Sequence, residues 1–180
     1  MAALLLAITA GAIACWPGAA TAGDPPKGVF IYTILRDGNP IGQQRLEFVG
    51  DGRRLRVLSH TTLDVSFLGM NLYGFDQQAE EVHEGGRIVA LTSEADDDGT
   101  DKKVVLKLEG DRLKGNYNGD NERDIDPTLK TSLFWDRPAL GKSRILDLLR
   151  AKIRDVTITD LGTETLSLPA GKIPAHHLRV

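Results

Sequence analysis

Hydrophobic and polar residues alternate along most of this chain, in runs separated by turns rich in Gly and Asp. The longest run covers residues 54–67, where odd positions are mostly apolar and even positions mostly polar. This two-residue period is typical of an antiparallel strand with one buried and one solvated face. At roughly 3.3 Å per residue such a strand exceeds about 40 Å, and strands of that length curl. The pattern therefore predicts a strongly curved sheet.

Shorter runs predict the remaining strands and the hairpins between them. The predicted strands cover residues 29–35, 41–49, 72–83, 87–94, 103–109, 112–117, 155–159, 164–168 and 176–180. The first of these is apolar on both faces, so we expect it to be covered on both sides. In residues 50–55, 84–88 and 109–113, a Gly-containing turn is followed by Arg and a branched apolar residue, which indicates repeated hairpins. The polar and acidic residues 116–126 are predicted to be the least structured part.

The alternation breaks at Thr131–Arg150. Ser143 is a suitable N-cap, and the apolar residues from Ile145 to Leu149 fall on one helical stripe, which predicts a short helix. A helix this short is not stable alone in water, so its stripe should dock on the sheet. The predicted fold is mainly β: a strongly curved antiparallel meander sheet or partly open barrel with one short helical plug.

The apolar side chains of this segment are the candidate ligand-binding residues: Phe134, Trp135, Ile145, Leu146, Leu148 and Leu149. We expect them to face the concave side of the sheet, where small-molecule sites commonly form. Two outcomes are open. The side chains either enclose a cavity for an apolar ligand or fill the space as ordinary core.

The N-terminus resembles a secretory signal peptide. Residues 4–14 are uncharged and mostly apolar, and the small residues Ala20, Thr21 and Ala22 follow. This arrangement predicts a signal over residues 1–22, and the apolar run is shorter than the about 20 residues of a membrane span. We expect an exported protein, periplasmic or extracellular, with one β-rich domain over residues 23–180 and no transmembrane segment in the mature chain. Lipid attachment at Cys15, the only cysteine, is the alternative.

The last predicted strand stops in mid-pattern at Val180. We therefore expect the domain to continue beyond this residue.

Composition limits the possible partners. A chain of 180 residues with 41% hydrophobic residues suits one domain with its own core. The net charge is −3 and the basic residues are scattered, which argues against a nucleic-acid partner.

Chemical motifs are weak, so we assign no catalytic residue, metal or cofactor. The acidic cluster Asp96–Asp101 could supply oxygen ligands to Ca²⁺, but it lies between two strands and is predicted to be a hairpin turn. His176 and His177 are adjacent in a strand and point to opposite faces, while His60 and His83 have polar neighbours and are predicted to face solvent. With no G-x-S-x-G motif and no cysteine after cleavage, the chain is expected to bind rather than catalyse.

The turn and strand signatures resemble a family of uncharacterised exported bacterial proteins known only as a domain of unknown function. The resemblance is carried by Gly28–Gly42, Glu94–Gly99, Thr131–Trp135 and Val156–Ala175. Members of that family usually read Thr-Ser-His-Trp where this chain has Thr-Ser-Leu-Phe-Trp, and they continue past Val180 with further strands. The resemblance implies a β fold and no activity. A more distant similarity, at the level of fold, is to periplasmic lipoprotein carriers.

The expected function is binding of an apolar small molecule, a lipid or an envelope protein in the concavity of the sheet. The alternative is a structural or assembly protein of the cell envelope without a small ligand. A hydrolase is the third hypothesis.

Overall fold

A computed structural model describes residues 27–50, 53–67, 70–119, 121–136, 139–168 and 171–180. The predicted signal peptide and Cys15 lie outside these residues. In the described part all regular structure is β-strand. The strands are β1 (Gly28–Arg36), β2 (Asn39–Gly50), β3 (Arg54–Phe67), β4 (Met70–Glu84), β5 (Arg87–Asp97), β6 (Thr100–Glu109), β7 (Arg112–Tyr117), β8 (Asn121–Ile125), β9 (Lys130–Thr131), β10 (Gly141–Asp147), β11 (Lys152–Leu168) and β12 (Gly171–Arg179).

The strands form two sheets. Strands β1 to β8 follow one another as an antiparallel meander, and the second sheet has the order β12-β11-β10-β9, in which β9 and β10 are parallel. The architecture is strongly curled, like half of a barrel. The prediction of a mainly β fold with a strongly curved antiparallel meander is confirmed. Within the described residues we find no helix with the length and apolar character that crossing a membrane requires.

Two-residue turns connect most neighbouring strands of the meander. Their central pairs include Asp37-Gly38, Gly85-Gly86 and Asp98-Gly99, and both residues of each of these pairs have positive φ. This is the geometry of type I′ turns, whose twist matches that of the strands and which favour Gly, Asn and Asp. The acidic cluster at Asp98 therefore forms the predicted hairpin turn.

The predicted helical plug is wrong. Gly141–Asp147 is strand β10, which pairs with β11 on one side and with β9 on the other. Residues 148–151 form the turn into β11. A short apolar run does not show a clear helical or strand period. The backbone donors and acceptors of this run are instead satisfied by β9, which precedes it, and β11, which follows it.

The core lies between the inner face of the meander and residues 126–136 and 139–151. The inner face carries Val57, Leu91 and Leu106. Leu91 and Leu106 are directly opposite each other, and one residue of β4 lies between Val57 and Leu91 in the same row across the sheet. The core cluster contains Leu46, Phe48, Leu55, Val57, Ala79, Ile88, Leu91, Val104, Leu106, Leu113, Ile125, Leu133, Leu146, Leu148 and Ala151. It is contributed mainly by β2 to β8 and by the chain that covers them.

The ladder between β4 and β5 contains a bulge. Val82 is opposite Ala90 and His83 is opposite Ile88, so Val89 has no register partner on β4. Such a bulge shifts the phase of the two-residue alternation. Both Ile88 and Leu91 are consequently buried although they are three residues apart.

Two further expectations need correction. Strand β1 was expected to be covered on both faces, yet Ile31 is 65% exposed and Val29 is 49% exposed. The reason is its position at the edge of the meander, where its partner is β2. Residues 121–125, in the part expected to be least structured, form β8 because their backbone completes the ladder of β7.

Candidate functional site

A short irregular segment covers one end of the inner face. This covering segment, residues 126–136, begins with Asp126, whose Oδ1 accepts hydrogen bonds from the backbone N–H and the hydroxyl of Thr128 at 2.8 and 2.7 Å. These two bonds lower the pKa of the Asp126 carboxyl. The carbonyl oxygen of Pro127 accepts a 2.9 Å hydrogen bond from the backbone N–H of Ile88, beside the bulge of β5. The segment is therefore fixed to the meander by its backbone.

A pocket of about 190 Å³ lies between the covering segment and the ends of β3, β4 and β5. We call it the Trp135 pocket. It is lined by Arg53, Leu55, Glu81, His83, Gly85, Gly86, Ile88, Pro127, Thr128, Leu129, Lys130, Thr131, Phe134, Trp135 and Asp136. Its volume is well above the roughly 10–15 Å³ that one water needs and below the about 300–1,000 Å³ of sites for drug-sized ligands. The pocket therefore suits a small molecule or one group of a larger one.

Glu81 is the central polar residue of the pocket. It faces inward between Val57 and Leu91 in register, and its side chain is 0% exposed. Oε2 accepts a 2.9 Å hydrogen bond from Nε1 of Trp135 and lies 2.9 Å from Nε2 of His83. Oε1 is buried and has no hydrogen-bond partner among the described residues. An unpaired buried oxygen of a carboxylate costs about 1–3 kcal/mol or more, so Glu81 is not explained by packing alone.

Aromatic rings form one wall around this carboxylate. Trp135 contacts Phe48 and His83 edge to face, with ring centroids 5.7 and 5.2 Å apart. These contacts and the hydrogen bond to Glu81 fix the orientation of the indole. Phe134 has φ of 51°, a left-handed backbone conformation that is strained for a bulky residue and is often found at functional sites. Its side chain stays 41% exposed at the pocket.

Charge changes from the interior to the mouth of the pocket. Glu81 is fully buried and the His83 side chain is 16% exposed. Lys130 and Asp136, both much more exposed, form an ion pair with each other, and Arg53 is also exposed. The negative charge is thus at the interior end, whereas the mouth carries two cations and one anion.

Two of the six candidate residues line the pocket and the other four do not. Phe134 and Trp135 line the pocket. Ile145, Leu146 and Leu148 are buried, and the last two belong to the core cluster. Leu149 is half-buried in the turn after β10, where its N–H donates to Oδ1 of Asp147 at 2.9 Å.

A second polar group, which is partly buried, lies nearer the opposite end of the meander. This Asp97 cluster consists of Tyr73, Asp97 and Lys102. The hydroxyl of Tyr73 donates to Oδ1 of Asp97 at 2.7 Å, and the ammonium of Lys102 donates to Oδ2. Lys102, then Tyr73, lower the pKa of Asp97, while burial and the bond to Asp97 raise the pKa of Tyr73 to about 12. Both oxygens of this carboxylate are satisfied.

The other residues considered from the sequence lie apart from one another. His60 pairs with Asp76, His176 with Asp160 and His177 with Glu164, and all three imidazoles are about half exposed. His83, predicted to face solvent, instead lies against Glu81 and Trp135. The described part of the chain contains no group of three or more His, Cys, Asp or Glu residues placed to hold a metal ion.

The residues of the Trp135 pocket are better suited to holding a small molecule than to nucleophilic catalysis. An imidazole oriented by a buried carboxylate can transfer a proton. The lining hydroxyls, however, already form hydrogen bonds within the covering segment: that of Thr128 donates to Asp126, and that of Thr131 accepts from the N–H of Leu133 at 3.4 Å.

Sequence reasoning missed Glu81 and His83. The available signal was the phase of β4, which places Glu81 on the same face as the buried Ala79. Trp135, which completes the group, is 54 residues away in the sequence.

Comparison with known proteins gives a family and no activity. The model of a domain of unknown function, DUF6134, matches residues 32–180. A search of curated proteins found no match, and neither did a search of solved structures.

Proposed function

The chain belongs to this family of unknown function, as its sequence resemblance predicted, and we propose from the geometry that it is an exported binding protein for a small molecule. Its ligand occupies the Trp135 pocket. The observation that carries the proposal is the pocket itself, which lies beside the buried core and combines aromatic walls with one buried carboxylate. Small-molecule sites typically combine apolar walls with a few well-placed polar groups.

The size of the pocket limits the ligand. An apolar cavity of about 150 Å³ holds one benzene molecule. The Trp135 pocket, at about 190 Å³, is therefore suited to a single ring or a short branched chain rather than to a lipid with long acyl chains. The ligand contacts Phe134, Trp135 and Leu129 along the covering segment.

Export is supported by the N-terminal sequence. The apolar residues 4–14 and the small residues 20–22 have the arrangement of a cleavable signal. A binding protein outside the cytoplasm meets its ligand from the surroundings of the cell.

The first test is native mass spectrometry of the full chain, purified without denaturation. We expect an added mass that denaturation releases. In parallel, Trp135 fluorescence is titrated with toluene, benzyl alcohol, benzylamine and benzoate in a Trp16→Phe background, which leaves Trp135 as the reporter because the chain has two tryptophans. We expect a saturable change with at least one probe.

A filled pocket provides the decisive variant. Leu129→Trp adds volume at a half-buried lining position, so bound mass and probe titration should be lost. The matched control is Leu140→Trp, because Leu140 is 52% exposed and does not line the pocket. Binding that persists in Leu129→Trp, or its absence in the unaltered chain for every probe and for any co-purified molecule, would overturn the proposal.

A second candidate function is assembly with an envelope protein. It is favoured by the edge strand β1, whose Val29, Ile31, Tyr32 and Leu35 are all 48–65% exposed. Exposed apolar edge strands recruit partner chains. Cross-linking in intact cells, compared between the wild type and Ile31→Lys, tests it, and recovery of monomer alone from the wild type argues against this role.

A further inference from the structure

We infer that the ligand of the Trp135 pocket is a small organic cation whose protonated nitrogen donates a hydrogen bond to Oε1 of Glu81. This inference rests on the proposed function, since it names the chemical class of the ligand for the same site.

The first argument is the unequal use of the two oxygens of Glu81. Oε2 has two nitrogen partners, Trp135 Nε1 and His83 Nε2, each at 2.9 Å, whereas Oε1 is buried without a partner among the described residues. Trp135 Nε1 donates to Oε2, and His83 Nε2 donates to the same oxygen in the tautomer that carries the proton on that nitrogen. The second oxygen is then a strong acceptor, and a donor from outside the chain is what it lacks.

The second argument is the charge around Glu81. The ion pairs of the described residues give it one partner within 4 Å, His83, which carries charge only when protonated. A buried carboxylate without a full countercharge is costly. The nearby Lys130 is paired with Asp136 at the exposed mouth. A cationic ligand would supply the missing charge at the interior end, where its interaction is strengthened by the exclusion of water.

The third argument is the aromatic lining. Trp135 and Phe134 both line the pocket, and the faces of such rings attract cations. Edge-to-face contacts with Phe48 and His83 hold the indole in position. A carboxylate together with aromatic rings is a suitable environment for an ammonium group. The cations at the mouth, Arg53 and Lys130, would in turn favour a ligand whose outer end is neutral or acidic.

The test compares four probes of equal ring size and different head group: benzylamine, benzyl alcohol, toluene and benzoate. Each is titrated against the full chain and followed through Trp135 fluorescence and calorimetry. We expect benzylamine to bind at least about tenfold more tightly than benzyl alcohol, which corresponds to about 1.4 kcal/mol. In Glu81→Gln this preference should fall to within about twofold, because the amide keeps the shape and removes the charge.

Glu80→Gln is the matched control. Glu80 is the neighbouring residue, points to the outer face, and pairs with Arg56 at 2.8 Å, so its replacement removes one negative charge outside the pocket. The preference for benzylamine should be unchanged in this variant. The melting temperature of each variant shows whether it is folded.

The outcomes separate the inference from the proposed function. If benzyl alcohol, toluene or benzoate binds as tightly as benzylamine, the inference is wrong and the pocket remains a ligand site. If no probe binds, and a crystal structure shows only water on Oε1, the inference is overturned, and the proposed function then depends on the co-purified mass alone.

Discussion

Glu81 and Asp97 lie on the neighbouring strands β4 and β5, and both belong to the inner face of the meander. Asp97 has a donor on each oxygen, the hydroxyl of Tyr73 and the ammonium of Lys102. Glu81 has both partners on one oxygen and none on the other. The Asp97 cluster is therefore a closed structural network, whereas the polar group at Glu81 is complete only with a further donor. Burial of a charge does not distinguish the two groups, whereas the unsatisfied oxygen of Glu81 does.

The largest change in the free energy of unfolding is expected when a partner of Asp97 is removed. Lys102→Ala leaves Oδ2 of Asp97 without its cation in a setting where Lys102 is 7% exposed, and loss of one partner of a buried pair typically costs about 3 kcal/mol or more. We expect the free energy of unfolding in urea to fall by about 3 kcal/mol. The adjacent Lys103, 62% exposed, pairs with Glu94, so Lys103→Ala should change it by less than about 0.5 kcal/mol. Equal effects of the two variants would mean that the network does not stabilise the fold.

The two carboxylates should respond differently to loss of charge. Asp97→Asn weakens two satisfied bonds and should destabilise the ligand-free protein by about 2 kcal/mol. Glu81→Gln also weakens two bonds but removes a buried charge with an unpaired oxygen, so we expect a change of less than about 1 kcal/mol. Urea unfolding of ligand-free protein at neutral pH measures both. A loss in Glu81→Gln as large as that in Asp97→Asn would contradict the distinction drawn here.

Acid titration sharpens the same contrast. The Lys102 ammonium and the Tyr73 hydroxyl hold the pKa of Asp97 below its ordinary value of 3.8 in the folded state. A depressed carboxyl pKa contributes stability that is present above the ordinary value and is lost as the pH falls through the folded value. The difference in unfolding free energy between wild type and Asp97→Asn should therefore shrink as the pH is lowered below about 4. A difference that stays constant down to pH 2 would be the contrary result.

Among the substitutions in the Asp97 cluster, the smallest effect is expected from loss of the Tyr73 hydroxyl. Tyr73→Phe removes one hydrogen bond and should cost about 1 kcal/mol. Because burial and Asp97 raise the pKa of Tyr73 to about 12, its contribution is present below the ordinary value of 10.0 and is lost as the pH rises towards 12. Tyr73 should show a phenolate absorbance change near pH 12, and that step should be missing in Tyr73→Phe.

Local sequence patterns predicted the meander but not what covers it. The alternation in residues 54–67 and the Gly and Asp turns depend on neighbouring residues, so β3 and the type I′ hairpins could be recognised. Strand β10 could not, because its pairing with Lys130, Thr131 and β11 is not visible in its own period. Only the aromatic residues of the site could be predicted, because its polar residue lies far away in the sequence. Phe134 and Trp135 attracted notice as aromatic residues, while Glu81 becomes unusual only when Trp135 is brought beside it.

The bulge at Val89 determines which face of the sheet Ile88 occupies, and Ile88 in turn holds the covering segment beside the pocket. If the present chain paired as a regular ladder, Val89 would lie opposite His83 and Ile88 opposite Glu84, so Ile88 would turn to the outer face and its N–H would no longer hold Pro127. The covering segment would then lose this backbone attachment to β5. A single extra residue in β5 thus fixes where the covering segment is attached. The same pocket should be sought in relatives that keep the bulge.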